Sequence, residues 1–244
     1  MSAQLQLFES RDEAERWSVR VSRRARRMSV RVYPGGRVEV VVPPGVPALT
    51  VQRFVGSHSQ WISRRVEDLT TAGAPVAAGP PTSIDVPAIG RNFTVEYERT
   101  RSTSIRPQLG AGDVLKILGP IHDEAAIGTA LRQWLCDLAY DELGEQIASV
   151  ARERDFQFSR IQIRRQRTRW GSCSASGTIS LNACLMFVRP AVVHYLFIHE
   201  LCHTRHMNHS PRFWALVEQH EPDYRQLDRE LLRGWQSVPA WMFE

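Results

Sequence analysis

Short segments in the first half of the chain alternate apolar and polar residues, a pattern that is typical of β-strands with one buried face. The alternation runs through residues 17–21, 28–32, 38–42, 93–97 and 114–118. Between the second and third of these segments, Pro34-Gly35-Gly36 has the composition of a turn. We therefore expect a β-hairpin near the amino terminus and further strands after it.

Apolar residues at three- and four-residue spacing predict four helices. Residues 47–69 have this spacing throughout and predict one continuous helix, with His58 on its apolar stripe as a packed core histidine. Residues 122–154 predict the longest helix. Pro190 and Pro211 each occupy a favourable first-turn position and open the third and fourth helices.

A stretch rich in proline, glycine and alanine at residues 72–83 indicates a linker or a long loop. We interpret residues 1–120 as a β-rich unit with one helix. Residues 121–244 form a second domain in this interpretation, with the long helix, a small sheet and the helix that Pro190 opens. The sequence thus predicts an α+β fold.

The composition of the 244 residues narrows the class of protein. The net charge is +5, and nearly all of the positive charge is arginine. The chain lacks a run of about 20 apolar residues, which a spanning helix needs, and its first residues do not resemble a secretory signal. The four cysteines form no C-x-x-C pair, which favours reduced thiols. These features predict a cytoplasmic protein without a membrane partner.

The sequence His199-Glu200-Leu201-Cys202-His203 lies in the helix that Pro190 opens. Residues four apart share one face of a helix, so the imidazoles of His199 and His203 can bind one metal ion. Glu200 points about 100° away from His199 around the helix axis, where it can reach a water at the metal without being a ligand. The pattern predicts a zinc ion that activates water and Glu200 as the general base of peptide or amide hydrolysis.

A catalytic zinc ion usually has three protein ligands and one open position. Candidates for the third ligand are His209, Glu218 and His206, in that order of preference. His209 comes first because Asn208 tolerates the left-handed backbone conformation that would reverse the chain. Glu218 lies on the next helix, and a continued helix would carry His206 one turn past the ion. Cys202 faces away from the two histidines, so we expect no thiolate ligand.

Two segments indicate partners. The strand predicted at 178–182 precedes the active-site helix and could pair with an extended protein or peptide substrate by β-augmentation. A basic segment just before it gives the best local case for a polyanion partner such as DNA, with Trp170 able to stack on a base. Arginines solvated on one face of a strand are the preferred interpretation of this segment. Its arginines are Arg160, Arg164, Arg165, Arg167 and Arg169.

These motifs resemble the YgjP-like metallopeptidase family. The matching residues are Arg169-Trp170-Gly171-Ser172-Cys173, the H-E-L-C-H motif, Asn208-His209-Ser210 and Phe213-Trp214. The similarity is strong over roughly residues 160–225 and extends to the amino-terminal hairpin. The chain is more distantly similar to SprT-like proteases that act on DNA–protein crosslinks.

The resemblance implies a zincin-like catalytic domain. In such a domain His199, His203 and His209 would bind Zn²⁺, and Glu200 would be the general base. For residues 169–173 we predict only a tight turn that packs Trp170 into the core.

Two other functions stay open at this stage. One is a nucleic-acid-binding module that keeps zinc only for stability, and the other is a hydrolase of a small amide. A Glu200→Gln variant that retains zinc but loses cleavage separates the enzyme from the module. The width of the cleft separates a peptidase from a small-amide hydrolase.

Overall fold

Three strands near the amino terminus form one sheet. The computed structural model describes residues 17–33, 36–70 and 79–243, with strands β1 (Trp17–Val21), β2 (Ser29–Val32) and β3 (Val38–Val42) in the order β1-β3-β2. β2 and β3 are antiparallel, as the hairpin prediction requires, whereas β1 runs parallel to β3. Two residues of the predicted turn, Pro34 and Gly35, lie outside the described residues.

Two helices follow this sheet where the spacing predicts one. α1 (Ala48–Ser57) and α2 (Ser59–Thr70) are separated at His58, whose φ of −110° and ψ of 4° are not helical. The side chain of His58 is exposed, so its prediction as a core residue is wrong. Its Nδ1 lies 2.8 Å from the carbonyl oxygen of Phe54, so the imidazole satisfies a carbonyl group of the last turn of α1.

The chain divides into two compact units, Met1–Gly73 and Ala74–Glu244. In the first unit, the buried Val40, Val42 and Val51 join β3 to α1. Most of the predicted linker, residues 71–78, lies outside the described residues. Residue 120, the domain boundary that the sequence predicts, lies within the second unit between a strand and a helix.

The second unit begins with a four-stranded sheet in the order β4-β5-β7-β6. Its strands are β4 (Ser83–Val86), β5 (Arg91–Arg99), β6 (Arg106–Leu109) and β7 (Val114–Gly119). β5 and β7 are parallel and correspond to the two predicted strands. β4 and β6, with four residues each, were not predicted from the sequence.

A three-stranded sheet of β8 (Arg160–Arg164), β9 (Gly171–Cys173) and β10 (Thr178–Asn182) lies nearer the motif. β10 is the central strand, parallel to β8 and antiparallel to β9. Since both sides of β10 are already paired, the prediction that this strand binds substrate by β-augmentation is wrong. The edge strand beside α4 (Pro190–Cys202) is β9.

Four helices complete the second unit: α3 (Glu124–Glu153), α4, α5 (Pro211–His220) and α6 (Tyr224–Arg233). Asp123 caps α3 by accepting a hydrogen bond of 2.9 Å from the amide of Ala126. α4 is buried on nearly all sides and packs against the other three helices. The described elements confirm an α+β fold. No helix among them is long and apolar enough to cross a membrane.

Candidate metal centre

The motif helix α4 carries His199 and Glu200 in its last turn, and His203 follows directly after it. Ile198 and Leu201 are fully buried, and Glu200 and His203 expose only 4% and 8% of their surface. A buried polar group needs a partner, because leaving water without one costs free energy. The end of α4 is therefore where the interior of the second unit requires polar contacts.

Three histidines converge at this end. In the described part of the chain, the group whose ligand atoms could hold a metal ion consists of His199, His203 and His209, with all ligand atoms within 4.8 Å of one another. The Nε2 atoms of His199 and His209 are 3.1 Å apart. The structure thus brings together the three histidines that the sequence analysis selects.

The chain reaches His209 by a turn that the sequence analysis did not foresee. α4 ends at Cys202, and the amides of Arg205 and His206 both donate to the carbonyl of Cys202. Among the described non-glycine residues, positive φ values occur only at Asp113 and Asp155. The expectation of a left-handed Asn208 is therefore wrong, because hydrogen-bonded turns reverse the chain instead.

α5 holds the imidazoles in place with two aromatic rings. Ser210 caps this helix by accepting from the amide of Phe213 at 3.4 Å. The ring of Phe213 stacks on His203, with centroids 4.4 Å apart, and Trp214 lies 5.5 Å from His209. The rings restrict the imidazole rotamers, so the cluster is ordered by packing as well as by the backbone.

The alternative ligands lie elsewhere. Glu218 is exposed on α5 and does not belong to the histidine group. His206 contributes its backbone carbonyl, which lies 3.0 Å from Nδ1 of His203. Cys202 is fully buried and Cys173 half-buried, and neither thiol is part of the group.

The electrostatics favour neutral imidazoles at His199 and His203. Burial, with smaller contributions from His203 and His209, lowers the pKa of His199 to about 3. Burial also lowers the pKa of His203, against the opposing effect of the hydrogen bond to the carbonyl of His206. A neutral imidazole has a free lone pair, which is the form that binds a metal.

Glu200 lies beside this cluster in an apolar setting. Burial raises the pKa of its carboxyl to about 8, against the lowering effect of Arg169. Its Oε2 atom is buried and has no hydrogen-bond partner among the described residues. An unpartnered carboxylate oxygen beside the three imidazoles fits a bound divalent cation, which would stabilise the ionised carboxylate.

The segment 169–173 also differs from its prediction. Gly171–Cys173 is strand β9, so the predicted tight turn is wrong. Trp170 is buried and stacks on Trp235, with centroids 4.0 Å apart, as expected for a core tryptophan. It is therefore not exposed for stacking on a base.

Three residues that adjoin the site received no role there from the sequence. Gly171 lies against the carboxylate of Glu200. The hydroxyl of Tyr195 lies between His199 and Asp228. Tyr195 carried a local signal, since it precedes His199 by four residues on the same helix face.

Comparison with known proteins gives one match. A model of the YgjP-like metallopeptidase domain matches residues 26–233. No curated protein and no solved structure matches the chain.

Proposed function

Because the chain belongs to the YgjP-like metallopeptidase family, we propose that it is a zinc-dependent peptidase. His199, His203 and His209 hold the metal, and Glu200 is the general base. The observation that carries the proposal is the convergence of three imidazoles, with ligand atoms within 4.8 Å of one another, beside a buried carboxylate.

The donor set supports zinc. Three imidazole ligands with one open position are typical of catalytic zinc, whereas structural sites are closed by four ligands and often include thiolates. Burial raises the pKa of Cys202 to about 12, so this thiol keeps its proton. The chemistry of the site therefore favours catalysis over a purely structural metal.

When bound, zinc supplies Lewis-acid chemistry that polarises a substrate carbonyl and lowers the pKa of a water molecule. The carboxylate of Glu200 accepts the proton that this water loses on attacking the carbonyl carbon. Glu200 then delivers the proton to the leaving amine nitrogen, and the peptide bond breaks. With a divalent cation bound beside it, the carboxylate of Glu200 would stay ionised and could act as a base.

Among the described strands β9 is paired on one side only, and its other edge supports an extended peptide as the substrate. The backbone amide of Asn182 donates to the carbonyl of Trp170 at 2.8 Å, and the backbone amide of Ser174 donates to the carbonyl of Thr178 at 2.9 Å. In an antiparallel pair the bonded residues alternate, so Ser172 is bonded to β10, and the backbone groups of Gly171 and Cys173 point the other way. A substrate strand paired there would lie next to Glu200.

Cleavage of an unfolded protein tests the proposal. Wild-type protein loaded with one equivalent of zinc is expected to cleave denatured casein, and chelation abolishes the cleavage. Glu200→Gln is expected to keep the zinc and lose activity by about 10²–10⁴-fold. Cleavage only of small amides would favour the narrower hydrolase, and a Glu200→Gln variant as active as wild type contradicts the assignment of the base.

A nucleic-acid partner is a second candidate, and the basic segment favours it. The five arginines that the sequence analysis selects there are exposed, and none forms an ion pair with a carboxylate of a described residue. Arg169 also lowers the pKa of Glu200, so the segment ends close to the candidate metal centre. Exposed guanidinium groups without a carboxylate partner suit the phosphate backbone of a nucleic acid.

Salt dependence of binding tests this candidate. The Arg165→Gln, Arg169→Gln double variant is expected to lower the slope of log affinity for a single-stranded oligonucleotide against log salt by about one unit per arginine. Arg152→Gln removes an exposed charge on α3 and serves as the control. Equal slopes for wild type and double variant contradict a nucleic-acid surface here.

A further inference from the structure

A buried hydroxyl connects His199 to a carboxylate on another helix. Tyr195 is fully buried on α4, one turn before His199. Its hydroxyl oxygen lies 2.8 Å from Oδ1 of Asp228, on α6, and 3.3 Å from Nδ1 of His199. The three side chains form a continuous row from α6 to the histidine cluster.

The donors and acceptors in this row fix the position of one proton. A carboxylate only accepts hydrogen bonds, so the hydroxyl of Tyr195 donates its hydrogen to Asp228. The hydroxyl oxygen is then free only to accept, and Nδ1 of His199 must carry the hydrogen between them. Nε2 of His199 therefore has the free lone pair, and this is the nitrogen 3.1 Å from Nε2 of His209.

We propose that Tyr195 and Asp228 are positioning residues for the metal, which hold His199 in the tautomer and ring orientation that direct its Nε2 towards the ion. The inference rests on the proposed function, since it takes His199 as a metal ligand. A hydrogen bond to the second nitrogen of a ligating histidine fixes its ring and raises its basicity. In this account α6 completes the metal site although it contributes no ligand.

His203 has an equivalent hydrogen bond at its Nδ1, made to a backbone carbonyl instead of a side chain. Its Nδ1 lies 3.0 Å from the carbonyl oxygen of His206, which can only accept. His203 therefore also presents Nε2 as its free nitrogen. Two of the three histidines have their second nitrogen occupied, one by a backbone carbonyl and one by the Tyr195–Asp228 pair.

Zinc affinity separates positioning from a merely structural tie between α4 and α6. Tyr195→Phe keeps the buried ring and removes the hydroxyl, and we expect it to weaken zinc binding by about 10–100-fold in a competition titration with a chromophoric chelator. Tyr97→Phe is the matched control, because Tyr97 lies in β5, away from the histidines, and its hydroxyl donates to the carbonyl of Pro81 at 2.7 Å. The control is expected to bind zinc as tightly as wild type.

Asp228→Asn provides a second variant in case Tyr195→Phe fails to fold. The amide oxygen of asparagine still accepts from the hydroxyl of Tyr195, so we expect a smaller loss of zinc affinity than in Tyr195→Phe. The ¹⁵N NMR spectrum of metal-free wild type is expected to show His199 protonated at Nδ1. Tyr195→Phe is expected to lose this preference and populate both tautomers.

The outcomes distinguish the inference from the function on which it rests. If wild type binds zinc and Tyr195→Phe binds it equally well with an unchanged His199 tautomer, the positioning role is wrong and the proposed function stands. If wild type binds no zinc, the proposed function fails first. A loss of affinity in Tyr97→Phe equal to that in Tyr195→Phe also overturns the positioning role.

Discussion

Gly171 lies directly against Glu200. A Cβ atom at position 171 would meet Oε1 of Glu200 at 2.5 Å and its Cδ at 2.9 Å, closer than real Cβ contacts allow. Only glycine leaves room for the carboxylate in its present position. The edge strand β9 and the motif helix α4 can therefore pack this closely only because residue 171 has no side chain.

Gly171→Ala is expected to displace the carboxylate while leaving the histidines in place. We expect activity to fall by about 10²-fold, because a shift of about 1 Å in a catalytic group has an effect of that size. Zinc content, measured by atomic absorption, is expected to equal that of wild type. Gly56→Ala is the control, since a Cβ atom at position 56 meets nothing within 4 Å. Full activity in Gly171→Ala would contradict the importance of the contact between Gly171 and Glu200.

The stability of the metal-free protein is expected to fall as the pH rises from about 6.5 to 8. The folded state raises the pKa of Glu200 from 4.5 to about 8, so the folded chain holds a proton that the unfolded chain has released across that range. His199, with its pKa lowered from 6.5 to about 3, has the opposite effect, but only below its unfolded value. Above pH 6.5 the effect of Glu200 therefore dominates.

The free energy of unfolding is expected to fall by about 1.4 kcal/mol per pH unit, which gives about 2 kcal/mol between pH 6.5 and 8. Urea unfolding of chelator-treated protein at several pH values measures it. Glu200→Gln cannot titrate, so its stability is expected to change little above pH 6.5. Parallel pH profiles for the two proteins would show that Glu200 is not protonated in the metal-free fold.

Cys173→Pro is expected to weaken the binding of extended peptide substrates without lowering the stability of the fold. The amide of Cys173 points away from β10, so proline removes a donor from the free edge without breaking a bond of the sheet. Loss of one hydrogen bond predicts a rise in KM of about fivefold for an extended peptide. Ser172→Pro, which breaks the pairing with β10, is expected to lower thermal stability instead. An unchanged KM in Cys173→Pro contradicts substrate pairing with β9.

Local patterns in the sequence predicted the elements that local forces determine. The spacing of apolar residues and the first-turn proline predicted α4 with its histidine pair, and Ser210-Pro211 predicted the start of α5. The continuous helix over residues 47–69 failed for a local reason too, because the imidazole of His58 competes for a backbone carbonyl. The spacing of apolar residues gives no information about such a side-chain hydrogen bond to the backbone.

Contacts between segments that are far apart in the chain could not be predicted from the sequence. Gly171 and Glu200 come from a strand and a helix with β10 between them in the chain, and Tyr195 reaches Asp228 across 33 residues. The central position of β10 depends on the pairing order of three strands, which the alternation in each strand does not specify. The residues that support the metal centre therefore emerged only from the packing.

Zinc content of ligand variants tests the central claim most directly. Wild type and Glu218→Ala, purified in parallel, are each expected to bind one zinc ion per chain by atomic absorption. His209→Ala, like His199→Ala and His203→Ala, is expected to lose the ion under the same conditions. Full zinc content in His209→Ala, with loss in Glu218→Ala, would contradict the three-histidine centre.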